Sequence, residues 1–240
     1  MYKVLVFAVM CLFHEMDLNA QKTIISDANA EQRSVGDFSA INISGGIDLY
    51  LSQGDEDGIA VSASDARSIE HIKTAVFNGI LKISFQGDGW KYKSGNRKMV
   101  AYVSFKSLTG IDASGASDIY INGSLKADKF KLKLSGASDF KGTVDINSID
   151  ISQSGASDAT ITGKITNLVI EASGASDFKG YDLETETCEA KASGASDIKI
   201  SVSKELYAEA TGASSINYKG NGVPKEVRSS GASNIRRKVQ

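Results

Sequence analysis

The chain has 240 residues, enough to bury a hydrophobic core, so a disulfide-stapled miniprotein is a poor interpretation. Its 27 basic residues nearly balance its 29 acidic ones, which argues against a nucleic-acid-binding protein. The 23 glycines, one proline and two histidines favour tight, repetitive β structure over histidine-dependent catalysis.

The first twenty residues have the pattern of a secretory signal peptide. A single cation, Lys3, precedes an apolar run from Val4 to Phe13, and a polar stretch ends at Ala20. The run is about half of the roughly twenty residues that a membrane-spanning helix needs, so we expect export, cleavage after Ala20 and no transmembrane span. Residues 21–34 are predicted to form a flexible N-terminal segment.

A five-residue motif, Ser-Gly-Ala-Ser-Asp, recurs through the second half of the chain. Five copies are identical and two later copies are variants, and together they span residues 114–234. The glycines of successive copies are 18 to 21 residues apart. They are Gly115, Gly136, Gly155, Gly174, Gly194, Gly212 and Gly231. Self-similarity at a short, nearly constant spacing is typical of a solenoid.

Side chains within the repeats alternate between apolar and polar with a period of two, as in a half-buried β-strand. In one unit Phe130, Leu132 and Leu134 alternate with Lys131 and Lys133. Short extended units with one apolar face can bury it only by stacking on the next unit. We therefore predict an all-β fold, a parallel β-helix with coils of about 19 residues. Two packed antiparallel sheets, with consecutive units as hairpins, are the alternative.

Residues 35–110 lack the motif but keep strand-like alternation, as at Ile41 and Ile43 or Leu81 and Ile83. No Pro- or Ser-rich linker separates this region from the repeats. We interpret it as wider, irregular coils at the N-terminal end of one β-helix domain that comprises residues 35–240.

Stacking in register would turn each motif position into a column of equivalent side chains along the rod. The second serine of the motif falls on the inward parity, where its hydroxyl would bond to the coils above and below. The alternative is that the Gly-Ala corner resets the parity and leaves these serines in water. This serine column comprises Ser117, Ser138, Ser157, Ser176, Ser196, Ser214 and Ser233.

The aspartate that ends the motif falls on the outward parity, and Asp48 resembles an earlier member of the same set. Like charges about 4.8 Å apart repel by roughly 0.9 kcal/mol per pair in water. A largely basic neighbouring column that includes Lys141, Lys179 and Lys199 would offset this repulsion. The alternative is a row of cation sites between successive carboxylates. This aspartate column comprises Asp118, Asp139, Asp158, Asp177 and Asp197.

The segment between Phe85 and Met99 combines aromatic side chains with four cations. One interpretation is an exposed hairpin tip. The other is a contact surface for acidic glycans, since exposed aromatic rings stack on sugars and cations attract carboxylates. The predicted contact residues are Trp90, Lys91, Tyr92 and Lys93.

The layout resembles a family of secreted Bacteroidetes proteins described as "putative auto-transporter adhesin, head GIN domain". The resemblance rests on the signal peptide, on the segment Gly46–Gly54 followed by Ile59–Ala63, on the strand Gly79–Ile83 and on the repeated motif. It covers nearly all of the mature chain. It implies a right-handed parallel β-helix and adhesion, and it brings no catalytic, cofactor-binding or metal-binding residues.

We expect a non-catalytic protein of the cell envelope or surface that binds a glycan or a protein and needs no cofactor. Its predicted location is the periplasm, the outer-membrane surface or the extracellular space. One alternative is a polysaccharide lyase or hydrolase that uses paired carboxylates. The repeated aspartates are equivalent to one another, however, and His71 is the only histidine after the signal peptide. Cys188, on the inward parity, is predicted to be a small apolar filler.

A second alternative is a structural module that assembles end to end. The open C-terminal end of the rod would carry Arg236, Arg237 and Lys238. Charged side chains at a strand edge discourage edge-to-edge pairing.

Overall fold

The computed structural model describes residue 27, residues 29–87 and residues 98–238, and the predicted signal peptide, Met1–Ala20, lies outside them. In these residues one sheet holds sixteen strands, and no helix is long and apolar enough to cross a membrane. In chain order the elements are β1 (Glu31–Arg33), β2 (Ala40–Ser44), β3 (Asp48–Gln53), β4 (Gly58–Ala63), α1 (Ala66–Ile69), β5 (Ile72–Phe77), β6 (Ile80–Phe85), β7 (Met99–Phe105), β8 (Gly110–Ala113), β9 (Ile119–Leu134), β10 (Phe140–Gln153), β11 (Asp158–Ala172), β12 (Asp177–Ala192), β13 (Asp197–Ala210), β14 (Ser215–Lys219), β15 (Val223–Ser229) and β16 (Asn234–Arg237).

The repeats stack as a β-solenoid of about seven turns with a spacing of about 19 residues, which confirms the predicted parallel β-helix. All pairings among β8 to β16 in the described residues are parallel. The register joins equivalent residues, as where Asp158 pairs with Asp177 and Asp177 with Asp197. The near-constant repeat length therefore places each motif position above the same position of the preceding coil.

The N-terminal region follows an order along the rod that differs from its order in the chain. β2 lies between β6 and β8, and β3 lies between β7 and β9. The chain therefore leaves the rod after β3 and returns as β6 and β7 on the outer side of that first coil. β5 then pairs antiparallel with β6, β4 with β7, and β1 with β4. These antiparallel strands cover the N-terminal end of the rod, a region where the sequence predicted only wider coils.

The core is built from columns of buried apolar side chains that run through successive coils. In one column Phe140 pairs with Ala159, Ala159 with Phe178, and Phe178 with Ile198. All four side chains are at most 2% exposed. The small Ala159 lies between the large rings of Phe140 and Phe178 in this column.

The motif glycines form the tight corner of each coil. Gly155 has a φ of +79°, in the left-handed region that favours glycine. A Cβ atom at this position would lie 2.5 Å from the carbonyl oxygen of Gly136 in the preceding coil. That carbonyl accepts a 2.7 Å hydrogen bond from the amide of Ala156, so the corners bond to one another along the axis.

Candidate binding surface

The serine column lies inside the coils. Six of its seven members are at most 2% exposed, and Ser233, in the last coil, is partly exposed. In the C-terminal half the hydroxyls bond to backbone carbonyls at the corner. Ser196 Oγ lies 2.8 Å from the Ser193 carbonyl and 3.0 Å from the Ala172 carbonyl of the preceding coil.

At the N-terminal end of the column the hydroxyls act as acceptors instead. Ser117 Oγ accepts from the amide of Ile47 at 3.3 Å, and Ser138 Oγ accepts from the amide of Ser117 at 3.4 Å. Among the described residues one direct hydroxyl–hydroxyl contact occurs within the column, between Ser157 and Ser176 at 3.3 Å. The hydroxyls therefore bond mainly to the backbone rather than to one another, and they hold the corner together instead of facing a ligand.

The aspartate column lies on the solvent side of the same corner. The side chains of Asp158, Asp177 and Asp197 are 38%, 40% and 26% exposed. Lys179 pairs with Asp158 at 2.8 Å and Lys199 pairs with Asp197 at 2.6 Å. The C-terminal half of the column is thus neutralised by the adjacent lysines.

Hydrogen bonds strengthen this neutralisation at Asp197. Burial acts to raise the pKa of this carboxyl, but the Lys199 ammonium, the Ser215 hydroxyl at 2.6 Å and the Asn217 amide at 3.1 Å outweigh it and lower the pKa. The carboxylate is therefore held in its charged form by groups of its own coil and the next.

The N-terminal half of the aspartate column differs from the C-terminal half in its charge partners. Asp48 joins the column because its coil lies beside that of Asp118, whose carbonyl accepts from the amide of Leu49 at 2.7 Å. Within the described residues no ion pair reaches Asp48, Asp118 or Asp139. Burial raises the pKa of Asp48, and the Asp118 carboxylate raises it further. No group of three or more His, Cys, Asp or Glu residues in the described part of the chain is arranged to hold a metal ion.

Replacing Asp139 by Asn is expected to stabilise the protein at neutral pH. Burial raises the pKa of Asp139; the amide of Asp158, which donates to Oδ1 at 3.2 Å, opposes this, and the carboxylates of Asp118 and Asp158 add to it. An asparagine oxygen can accept the same hydrogen bond without the charge. Asp139 is exposed and Lys179 also lowers its pKa, so solvent screening and this cation reduce the repulsion, and we expect a gain of less than about 1 kcal/mol in the free energy of unfolding.

The gain should depend on pH in a defined direction. Below the unfolded-state pKa, near 3.8, Asp139 is protonated in both states and the variant should match the parent. As the pH rises, Asp139 ionises first in the unfolded state and only at higher pH in the folded state. The parent protein therefore loses stability over this range, and the Asp139→Asn variant becomes the more stable of the two. Asp145→Asn is the control: Asp145 pairs in register with Lys126 and Lys164, so this change should destabilise. If thermal melts from acid to neutral pH show no gain in stability for Asp139→Asn, the proposed repulsion between Asp139 and its neighbouring carboxylates is wrong.

Three stacked tyrosines continue the largely basic column of Lys141, Lys179 and Lys199 toward the N-terminal end of the rod. Tyr50 stacks on Tyr102 with ring centroids 5.6 Å apart and on Tyr120 with centroids 5.0 Å apart. The Tyr102 hydroxyl donates to Asp27 at 3.1 Å. Burial raises the pKa values of Tyr102 and Tyr120. Both faces of the central ring are covered, so this stack joins coils to each other and offers no open platform for a sugar at Tyr50.

A groove runs along a different corner of the rod and has a volume of about 1030 Å³. Two sets of solvent-facing side chains line it, with the buried Ile146, Ile165 and Val202 between them. The first set is Lys126, Asp145, Lys164, Glu184 and Ser201, which pair in register from coil to coil. The second set is Asp128, Asn147, Thr166, Glu186 and Ser203. Gly220 and Asn221 of the next coil complete the lining, so the groove crosses six coils, a span of about 24 Å.

The charges in the groove are matched locally. Lys164 pairs with Glu184 at 3.4 Å, and Lys204 pairs with Glu186 at 2.6 Å. Sequence reasoning missed this site because its residues lie outside the motif. A signal was nevertheless present: Lys126, Asp145, Lys164 and Glu184 follow one another at 19, 19 and 20 residues and alternate in charge.

The remaining candidates from the sequence are distributed as follows. Trp90, Lys91, Tyr92 and Lys93 lie outside the described residues. The ring of His71 contacts the Gln86 carbonyl at 2.9 Å through Nδ1 and packs against Phe85. Cys188 is fully buried, and burial raises the pKa of its thiol, so it fills space in the core.

The chain matches the model of one known protein family over most of its length. The family model described as "Putative auto-transporter adhesin, head GIN domain" matches residues 37–222. The chain belongs to this family. The match confirms the resemblance drawn from the repeats and covers every complete copy of the Ser-Gly-Ala-Ser-Asp motif.

Solved structures of other bacterial proteins share the fold. A putative adhesin from Bacteroides fragilis superposes with a TM-score of 0.79 at 21% identity, covering 87% of this chain and 96% of its own. A protein from Parabacteroides distasonis named as a putative lipid-binding protein gives 0.64 at 20% identity, covering 88% and 98%. A putative adhesin from Parabacteroides merdae gives 0.60 at 18% identity, covering 86% and 95%. No protein with a curated description matches the chain.

Proposed function

We propose that this head GIN protein is a non-catalytic, adhesin-type binding protein of the cell surface or the extracellular space. The observation that carries the proposal is the groove, in which five consecutive coils contribute equivalent solvent-facing side chains to one open cleft. A cleft of about 24 Å along a rod fits an extended polymer, either a glycan or a polypeptide segment. The family description and the names of two structural neighbours as adhesins support the same class of function.

The chemistry of the groove supports binding rather than catalysis. General acid–base catalysis needs carboxyl groups in contrasting environments. Here Glu184 and Glu186 are each paired with a lysine, and Asp128 accepts from the Asn147 amide at 3.1 Å. Each of these three carboxylates thus already has a lysine or amide partner. They are suited to bind hydroxyl and amide groups of a ligand along the cleft.

A glycan array followed by a binding titration tests the proposal. Asn147→Trp places a large ring in the groove and is expected to weaken binding of an array-identified ligand by about tenfold or more. Asn122→Trp is the matched control, since Asn122 is also an exposed asparagine on a strand but lies outside the groove. Equal binding by both variants would place the ligand elsewhere. Release of reducing sugar from a bound polysaccharide would show that the protein is an enzyme.

We include the predicted contact surface, Trp90–Lys93, in this proposal as a second region that contacts the ligand. The double variant Trp90→Ala with Lys91→Ala tests it in the same titration, with an acidic polysaccharide as the ligand. Unchanged binding would remove this region from the proposal. Protease accessibility on intact cells tests whether the protein reaches the surface or stays in the periplasm.

A further inference from the structure

The two ends of the rod differ in how their strand edges are covered. The N-terminal end is closed by antiparallel strands that include β1, β4 and β5. At the other end β15 pairs only with β13, and β16 only with β14, within the described residues. Within the described residues, the outer edge of this coil, residues 223–238, therefore has no strand partner. Such an edge is a template for an added strand.

The last coil also presents apolar side chains that continue the core columns. Val227 pairs in register with the buried Ala208, and Ile235 pairs with the buried Ile216. Val227 is nevertheless 47% exposed, and Ile235 is only partly buried. A strand placed on this edge would bury both residues under its own apolar side chains, as each coil does for the one before it.

The charge of the last coil distinguishes between possible occupants. Residues 223–238 contain five basic residues and one acidic residue, a net charge of +4. The acidic residue, Glu226, is paired with Arg228. Arg236 lies on the solvent side of β16, in register with Asn217. Two copies that met through this end would bring like charges together, whereas an acidic partner would be attracted.

We propose that the last coil binds an extended segment of another protein by strand addition, and that this segment alternates acidic and apolar residues. Its acidic side chains would lie beside Arg228 and Arg236, and its apolar side chains would cover Val227 and Ile235. The family match ends at residue 222, before this coil. The site is separate from the groove and does not depend on the groove's ligand.

Fluorescence anisotropy with a labelled peptide of alternating glutamate and valine tests the proposal on the unmodified protein. Matched probes are a lysine–valine peptide and the glutamate–valine peptide N-methylated at alternate amides, which removes main-chain donors but keeps the charge. We expect the first probe to bind, the lysine probe not to bind, and N-methylation to weaken binding about tenfold or more. Arg236→Glu with Arg237→Glu should weaken binding similarly, whereas the control pair Lys129→Glu with Lys131→Glu, on β9, should not.

Three outcomes would overturn the proposal. Equal binding of the N-methylated probe would mean that charge alone holds the peptide. Dextran sulfate that binds as tightly as the peptide, and is lost in the Arg236→Glu, Arg237→Glu variant, would indicate a site for anionic polysaccharide. Concentration-dependent dimers in sedimentation that the same variant abolishes would assign the edge to a second copy. Circular dichroism shows whether the variants fold, and the probe series on the parent protein decides the question if they do not.

Discussion

Alanine at Gly155 is expected to lower the free energy of unfolding by about 3 kcal/mol or more. The φ of +79° is unfavourable for any residue with a Cβ atom, and this atom would lie 2.5 Å from the Gly136 carbonyl oxygen and 3.0 Å from the Gly136 nitrogen. Backbone atoms of a neighbouring coil cannot move aside as a flexible side chain can. Chemical denaturation followed by circular dichroism measures the loss.

Two other glycines separate the causes of that loss. Gly123 has a φ of +80°, but a Cβ atom there would have no neighbour within 4 Å, so Gly123→Ala should cost about 1–2 kcal/mol from the backbone alone. Gly54 has neither a positive φ nor a close neighbour, and Gly54→Ala should be neutral or slightly stabilising. Equal effects at Gly155 and Gly123 would show that contact between corners does not require glycine.

Truncation of Phe178 to alanine is expected to cost about 3–5 kcal/mol, a large share of the stability of a typical domain. Phe178 is 0% exposed and pairs in register with Ala159 and Ile198. Because Ala159 is already small, the column cannot close over the space that the ring leaves. Each coil contacts mainly its neighbours, so hydrogen exchange should show the greatest loss of protection in the adjacent coils.

Phe77 provides the matched control for this truncation. Its side chain is 62% exposed on the covering strand β5, and its ring lies 5.5 Å from the Lys82 ammonium. Phe77→Ala should therefore change the free energy of unfolding by less than about 1 kcal/mol. Similar losses for the two variants would mean that the buried Phe178 side chain contributes no more than a surface contact.

The repeating half of the fold could be predicted because its information is local. A spacing of 18 to 21 residues sets the register of one coil on the next, and the period-two alternation sets which side chains turn inward. Ser117 and Asp118 show the result: the first is 0% exposed, and the second lies on the solvent side of the same corner. The alternation also predicted buried positions such as Cys188 and Ile198.

The bonds that these side chains make could not be predicted with the same certainty. Inward serines were expected to bond to the coils on both sides, but Ser196 bonds to the Ala172 carbonyl of the preceding coil and to the Ser193 carbonyl of its own corner. The aspartates are equivalent in sequence, yet Asp197 is neutralised by Lys199 whereas no ion pair within the described residues reaches Asp118. The difference comes from the neighbouring column, where Tyr120 takes the place that Lys199 occupies further along the rod.

The sequence by itself determined the all-β architecture, the coil length and the facing of the motif residues, since each depends on spacings within about twenty residues. The tertiary structure alone decided that the coil of Asp48 lies against that of Asp118 and that antiparallel strands close the N-terminal end. Those features depend on hydrogen bonds between segments far apart in the chain, where no repeat specifies the partner.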